Sequence, residues 1–312
     1  MKQKVSDYIA EYIAQWGIRD VFTVTGGGAM HMNDAFGHHK MLHCTYQHHE
    51  QACAMAAEAY ARLGNKMAAV CVTTGPGATN AITGVLGAWM DSIPMLVFSG
   101  QARYATTVSA SGLPLRSMGV QECNIVPVVK SLTKYAHMIV HPENIRYHLE
   151  KALYLAVNGR PGPVWLDIPL DVQGAVIETD DLKAYDPEEN PEQQPREIKD
   201  ETVEQILDKL QESKRPVLSP GNGVRLAGAH EDFYQLAELL GVPVVTGMSS
   251  VDAIESDHPC LWEEAGEQEQ DQVTLHFRTA TCFFSWQSSG ICTDRIPVSG
   301  LGKRKLYHSE RY

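Results

Sequence analysis

The sequence predicts an α/β protein whose first domain is a doubly wound parallel sheet with helices on both faces, followed by a truncated second α/β domain. Short unbroken apolar runs at 67–73, 95–98 and 164–168 alternate with longer amphipathic stretches of helical period, the pattern of strands buried on both faces by crossover helices. Glycine turns, Gly26-Gly27-Gly28 and Gly75-Pro76-Gly77, stand where strands hand over to helices. An acidic stretch then separates this alternation from a second round of it.

Val5, Tyr8, Ile9, Tyr12, Ile13 and Trp16 recur at i, i+3 and i+4, with Ser6 and Asp7 near the start and Gly17 after the last. That predicts a helix with one buried face. A strand at 21–24, the glycine run, a short helix, a strand near 42–46 and a helix from about 50 to 63 closed by Gly64 follow. The second round is a strand at 67–73, the turn at Gly75, a helix to about 90 and a strand at 95–98. A helix over about 142–158, the turn GRPGP and the strand VWLDI complete a first domain spanning 1–177.

Residues 178–200 hold nine acidic and three basic side chains and few apolar ones, which reads as a solvated linker. From 201 the pattern resumes with helix 201–212, strand PVLSP, a turn at Gly221-Asn222-Gly223, helix 229–240 and strand PVVTG, a partial central domain to 259. The remainder, 260–312, carries three of the seven Cys without strand-helix alternation and is expected to be an aberrant, disordered tail.

Lys and Arg total 26 against 38 Asp and Glu, a formal net charge of −12, which argues against nucleic acid or an anionic membrane as partner. The N-terminus lacks the apolar core of a signal peptide, and no apolar run long enough for a membrane helix follows. Seven cysteines without a CxxC pair read as reduced thiols of a cytoplasmic protein.

CVTTGPGATN (71–80) places a tight glycine turn between a buried strand and a helix start, where backbone amides can meet a planar or anionic ligand. It lacks the Lys-Ser/Thr of a P-loop and the GxGxxG spacing, and plain α/β packing explains it equally well. Glu50 stands near the start of the 48–64 stretch, with Ala52, Ala54, Ala56 and Ala57 behind it; alone it reads first as a carboxylate facing a helix dipole. Six of the 13 His lie between 31 and 49, yet adjacent side chains point apart and no ligand spacing is completed, so no metal site is expected there.

Five segments, GGGAMHMNDAF (26–36), HHEQACAMAAEAYAR (48–62), TTGPGATNAITGVLGAWMDSIPMLVFSGQ (73–101), GVQECNIVPVVKSLTKYA (119–136) and GRPGPVWLDIPLDVQ (159–173), together resemble the thiamine diphosphate-dependent enzymes of the acetolactate synthase group, over the N-terminal pyrimidine-binding domain and the start of the central domain. The resemblance implies a 2-oxo acid decarboxylating C–C lyase or ligase. It makes Glu50 the glutamate that bonds N1′ of the cofactor's aminopyrimidine, in a dry pocket where a carboxyl group can share a proton at neutral pH. It lays Thr74, Pro76, Gly77 and Asn80 against the pyrimidine ring, with Gly26 and Gly27 on the facing loop, and puts Gln121 near the substrate; an exposed polar helix residue is the alternative for Gln121. His48 stands where the group often has Arg, His31 where a Pro is common, and Ser131 where a Pro precedes Leu132-Thr133-Lys134.

The family holds its diphosphate and Mg²⁺ with a Gly-Asp-Gly motif followed by Asn, and no Gly-Asp-Gly occurs here. TLHFRTATCFF (274–284) is also what a displaced reading frame of a family-like string would encode. The alternatives to the enzyme are therefore a non-catalytic, frameshifted fragment, or half of a split enzyme completed by a separate diphosphate-domain chain. A homodimer is the further partner the resemblance implies, and a flavin in the central domain stays undecided.

Overall fold

The computed structural model describes residues 1–194, 198–264, 282–287 and 290–294, which divide into two units between Pro195 and Arg196. The first unit runs β1 (Lys2–Lys4), α1 (Val5–Trp16), β2 (Asp20–Thr23), α2 (Met30–His38), β3 (His43–Tyr46), α3 (Glu50–Gly64), β4 (Ala69–Val72), α4 (Pro76–Asn80), α5 (Ile82–Met90) and β5 (Met95–Gln101). It continues with α6 (Val108–Ser111), α7 (Ile125–Val129), β6 (Tyr135–Met138), α8 (Ile145–Val157), β7 (Pro163–Pro169), α9 (Leu170–Gly174) and β8 (Val176–Glu178). Six strands form one sheet in the order β3-β2-β4-β5-β7-β6, every neighbouring pair parallel. This is the α/β sheet that the apolar runs imply, with one strand they do not reveal: β6, YAHM, is half-buried along its length at the sheet edge.

The central strands β4, β5 and β7 are buried throughout, so their side chains divide between two cores by the strand's period of two. Ala69, Cys71, Leu96, Phe98, Leu166 and Ile168 join Val5, Ile9 and Ile13 of α1 and Leu149 and Leu153 of α8 in one cluster. Val70, Val72, Val97 and Trp165 alternate with these and are equally buried, on the side packed by α3 and α5. Gly17 ends α1 in the left-handed conformation, φ 114°, and its N–H caps the carbonyls of Ile13 and Ala14, a geometry that glycine adopts without steric cost. Between α3 and α5 a Cβ on Gly84 would lie 2.6 Å from that of Ala54, so the alanines behind Glu50 do permit a close helix contact.

The acidic stretch differs from the solvated linker expected of 178–200. β8 pairs antiparallel with β1, and Leu182 and Tyr185 are buried on the first unit. The Tyr185 N–H donates to Glu150 Oε2 at 2.7 Å, and its ring packs on Tyr147 and Tyr154. Two apolar anchors and one carboxylate acceptor hold a segment whose overall composition is polar, and the first unit accordingly extends past 177 to Pro195.

In the second unit α10 (Asp200–Glu212), β9 (Pro216–Pro220), α11 (Gly223–Leu226), α12 (His230–Leu240) and β10 (Val244–Thr246) follow the expected order. β11 (Leu261–Glu264), β12 (Cys282–Gln287) and β13 (Gly290–Asp294) fall within the stretch expected to be a disordered tail. They complete a five-stranded sheet, β11-β10-β9-β12-β13, parallel except for the β12–β13 pair. Pairing of β11 with β10, of β12 with β9 and of β13 with β12 gives these residues the backbone partners that a search for strand-helix alternation misses. Most of the displaced-frame string at 274–284 lies outside the described residues. Among the described residues no helix is long and apolar enough to cross a membrane.

Candidate functional site

From β2 the chain crosses outward to β3 and returns to β4 on the other side of β2. The strand order therefore reverses between β2 and β4, and a crevice opens outside their carboxyl ends, the place where open α/β sheets bind ligands. The loop after β2 carries Gly26 and Gly27, and the turn after β4 is Thr73–Gly77. Thr23 Oγ1 donates to the Cys71 carbonyl at 2.7 Å and accepts from Asn33 Nδ2 at 3.0 Å. The Gly28 N–H donates to Thr73 Oγ1 at 3.1 Å, so the two loops are stitched face to face.

Glycine is required at specific points of this contact. A Cβ on Gly26 would stand 2.4 Å from Thr73 Cβ, and one on Gly75, where φ is +58°, would stand 2.0 Å from the Gln121 carbonyl oxygen. Gly27 is different: nothing lies within 4 Å of the position a Cβ would take.

Glu50 is the first residue of α3, whose N-cap is His49; the His49 Nδ1 accepts from the Gln51 N–H at 3.1 Å. Glu50 Oε2 accepts a 2.9 Å hydrogen bond from Asn80 Nδ2. Gly77, at the first turn of α4, would bring a Cβ to 3.2 Å from Glu50 Oε1 and to 2.7 Å from Thr73 Cγ2. Gly77 is buried, and the absence of its side chain is what lets the turn pack this closely against Thr73 and the Glu50 carboxylate. Behind it, burial and the nearby Glu50 charge push the Cys53 thiol up to about 12, so that side chain is a neutral packing group.

The structure thus brings Glu50, Gly77 and Asn80 together, with Pro76 exposed at the start of α4. Thr74 departs from the expectation that it lies against a ring: it is buried, and its Oγ1 donates inward to the Gly100 carbonyl at 2.9 Å, leaving its backbone at the turn. Gln121 lies on no helix. It sits in a turn with φ +56°, its side chain exposed and its carbonyl against Gly75. Glu50 is half-buried in this chain, so a dry pocket around it needs a further surface.

Sequence reasoning missed Thr73 and Glu122. Glu122 Oε1 accepts from the Val108 N–H at 2.7 Å, and Oε2 accepts from those of Met118 and Gly119 at 2.8 and 2.9 Å. Burial alone would raise its pKa, yet these three donors hold the carboxyl below the usual range, by stabilising the ionised form. Glu122 thereby ties the loop leading to Gln121. Its place beside Gln121 in GVQECN was the available signal.

Residues 3–127 match the family described as thiamine pyrophosphate enzyme, N-terminal TPP binding domain, and residues 203–283 match its central domain. The second match continues past 259, where the central domain was expected to stop. Acetolactate synthase 2, chloroplastic, of Zea mays is 34% identical over 264 residues, 82% of this chain and 39% of that protein. The acetolactate synthase large subunit of Lactococcus lactis is 32% identical over 262 residues, 84% and 44% respectively. That of Corynebacterium glutamicum is 34% identical over 243 residues, 76% and 36%. The chain spans about two fifths of the length of the curated relatives it matches.

Proposed function

Because the chain belongs to the thiamine pyrophosphate enzyme family through its N-terminal and central domains, we propose that its first unit binds the aminopyrimidine end of thiamine diphosphate in an enzyme that acts on 2-oxo acids. The observation that carries this reading is the Glu50–Asn80 hydrogen bond, with the Gly77 backbone packed close against the same carboxylate, at the crevice where the strand order reverses.

The fit is to a flat ring. Glu50 presents a carboxylate at the mouth, Asn80 fixes its orientation, and the stitched loops at Gly26 and Thr73 form a wall of backbone and the small Thr73 side chain. When bound, the cofactor supplies the electron sink for cleaving or forming the bond next to a 2-oxo acid's carbonyl. Glu50 holds a proton between its carboxyl oxygen and a ring nitrogen, which needs a site of low polarity. Gly75, Pro76 and Gly77 would orient the ring by backbone contact, and Gln121, whose carbonyl lies against Gly75, would meet the substrate end.

Among the described residues no three His, Cys, Asp or Glu side chains are grouped to hold a metal. A second surface closes the open side of Glu50, either from another copy of this chain or from a separate diphosphate-domain chain. Support comes from the outward side chains of the packed pair α3 and α5, where Met55, Leu63, Leu86, Trp89 and Met90 are exposed, an unusual concentration of large apolar groups for a free face.

Calorimetric titration of the full chain with thiamine diphosphate and Mg²⁺ tests the reading. Saturable heat that disappears in Glu50→Gln is expected; folded wild-type protein that takes up no cofactor overturns it.

A further inference from the structure

Asp167, on β7, is the one carboxylate completely buried among the described residues. Its partners are all internal. Ser99 Oγ donates to Asp167 Oδ1 at 2.6 Å, and Gln101 Nε2 donates to Oδ2 at 3.1 Å. Ser99 has no choice of direction: its oxygen accepts the Trp165 indole N–H at 2.8 Å, a group that only donates, so its own proton goes to Asp167. The Gln101 Nε2 also donates to the Cys123 carbonyl at 2.8 Å. With two acceptors facing its nitrogen, the amide can be oriented only one way, and its Oε1 accepts the Ala102 N–H at 3.0 Å and lies 3.2 Å from Thr74 Oγ1.

This chain of bonds starts in the middle of the sheet and ends on both pieces of the candidate site that come from distant parts of the sequence. Thr74 opens the Gly75–Gly77 turn. Cys123 follows Gln121, whose carbonyl touches Gly75. One amide therefore hangs the turn and the Gln121 segment from the same strand. We propose that Asp167 and Gln101 are positioning residues: Asp167 fixes the orientation of the Gln101 amide, and Gln101 holds the turn at 74–77 and the segment at 121–123 in place against each other.

The energetics favour a role over mere filling. Burial pushes the Asp167 carboxyl up to about 7, against the pull of the Ser99 and Gln101 hydrogen bonds, so the group costs stability that an apolar side chain of similar volume would not. Polar chains that are fully satisfied specify one arrangement, here the arrangement of two loops. The importance of that arrangement to a cofactor rests on the function proposed above, whereas the device itself is tested without any ligand.

The test is amide hydrogen exchange of the full-length chain, read by peptide mass spectrometry, for wild type, Asp167→Asn, Gln101→Glu and the double variant. Asp167→Asn points a donor at the Gln101 nitrogen and should speed exchange across 102–108 and 119–124 by about tenfold or more, with β4, β5 and β7 little changed. Gln101→Glu removes the amide donor to the Cys123 carbonyl and should do the same across 119–124. In the double variant an amide at 167 again faces a carboxylate at 101, and protection of Ala102 should return in large part. Exchange at 119–124 that stays as in wild type in both singles, or a double variant in which Ala102 exchanges no more slowly than in the worse single, overturns the proposal. Should a polar single fail to fold, Gln101→Met carries the same expectation for 119–124. Thiamine diphosphate titration alongside separates the two ideas: a wild type that binds no cofactor removes the proposed function and leaves the exchange result to judge the relay.

Discussion

Asn80 Nδ2 donates to Glu50 Oε2 at 2.9 Å, joining the short helix after the glycine turn to the first residue of a helix one crossover earlier in the chain. The bond is exposed, so it contributes little to global stability, and its evident effect is to set the direction of the carboxylate. A hydrogen bond to a charged group contributes about 1.5–3 kcal/mol where water is excluded and less where it is not. Asn80→Ala should therefore weaken thiamine diphosphate binding by about fivefold to tenfold with an unfolding midpoint close to wild type. Calorimetry and thermal unfolding on one preparation check this; unchanged affinity would separate Asn80 from the site.

The two glycine loops should respond unequally to a methyl group. At Gly75 an alanine would need φ near +58° and would drive its Cβ to 2.0 Å from the Gln121 carbonyl, so Gly75→Ala should destabilise the first unit by at least about 1–3 kcal/mol and displace Gln121. At Gly27 there is open space, and Gly27→Ala should stay within about 0.5 kcal/mol of wild type. Chemical denaturation measures both, and equal effects at the two positions would contradict the close approach of the 75 and 121 backbones.

How far the sequence discloses this structure depends on where each residue's partners lie. α1 is legible because Val5, Ile9 and Ile13 all face the same core, and β4, β5 and β7 because strands buried on both faces are mostly apolar. β6 escapes because an edge strand needs no apolar run. β11 and β12 escape because their partners β10 and β9 lie earlier in the chain, and β13 because it pairs with β12. Within the site, Glu50 is recognised by its motif, yet its bond to Asn80 and the inward turn of Thr74 toward Gly100 are products of the sheet's reversal and have no local signature. Asp167 and Gln101 were in plain view as polar letters inside apolar strands, the one signal that marks a satisfied buried network.

The stretch from 178 to 194 provides a test of composition against packing. An acidic, proline-bearing segment should be open to proteases, whereas Leu182 and Tyr185 pin this one to the first unit. Limited proteolysis of the wild type should leave 178–194 intact while the native first unit persists. Tyr185→Ala, which also removes the ring from between Tyr147 and Tyr154, should raise cleavage in that segment by about tenfold. Mass spectrometry of the fragments locates the cuts, and early cutting of wild type between 178 and 194 would restore the linker.

Beside that segment, acid should act through His148. Its ring stacks on His137 at 3.9 Å between centroids, and its Nδ1 lies 2.6 Å from the Tyr135 hydroxyl. Burial, then the neighbouring His137 and Lys151, lower the His148 pKa to about 4, and burial with Lys151 lowers that of His137. An unfolded histidine titrates near about 6.5, so between these values the unfolded chain binds a proton that the folded chain refuses. Stability from this pair is complete above about pH 6.5 and is lost as pH falls toward about 4. The groups facing the pair are Tyr135 on β6, Tyr147 and Lys151 on α8 and Glu189, which pairs with Lys151. His148→Phe keeps the stack and removes the proton site, so it should lose stability at pH 8 with the Tyr135 hydrogen bond and close the gap to wild type as the pH falls to 4.5. Thermal unfolding across that range measures the gap, and two curves that stay parallel would mean that His148 takes no part in acid unfolding.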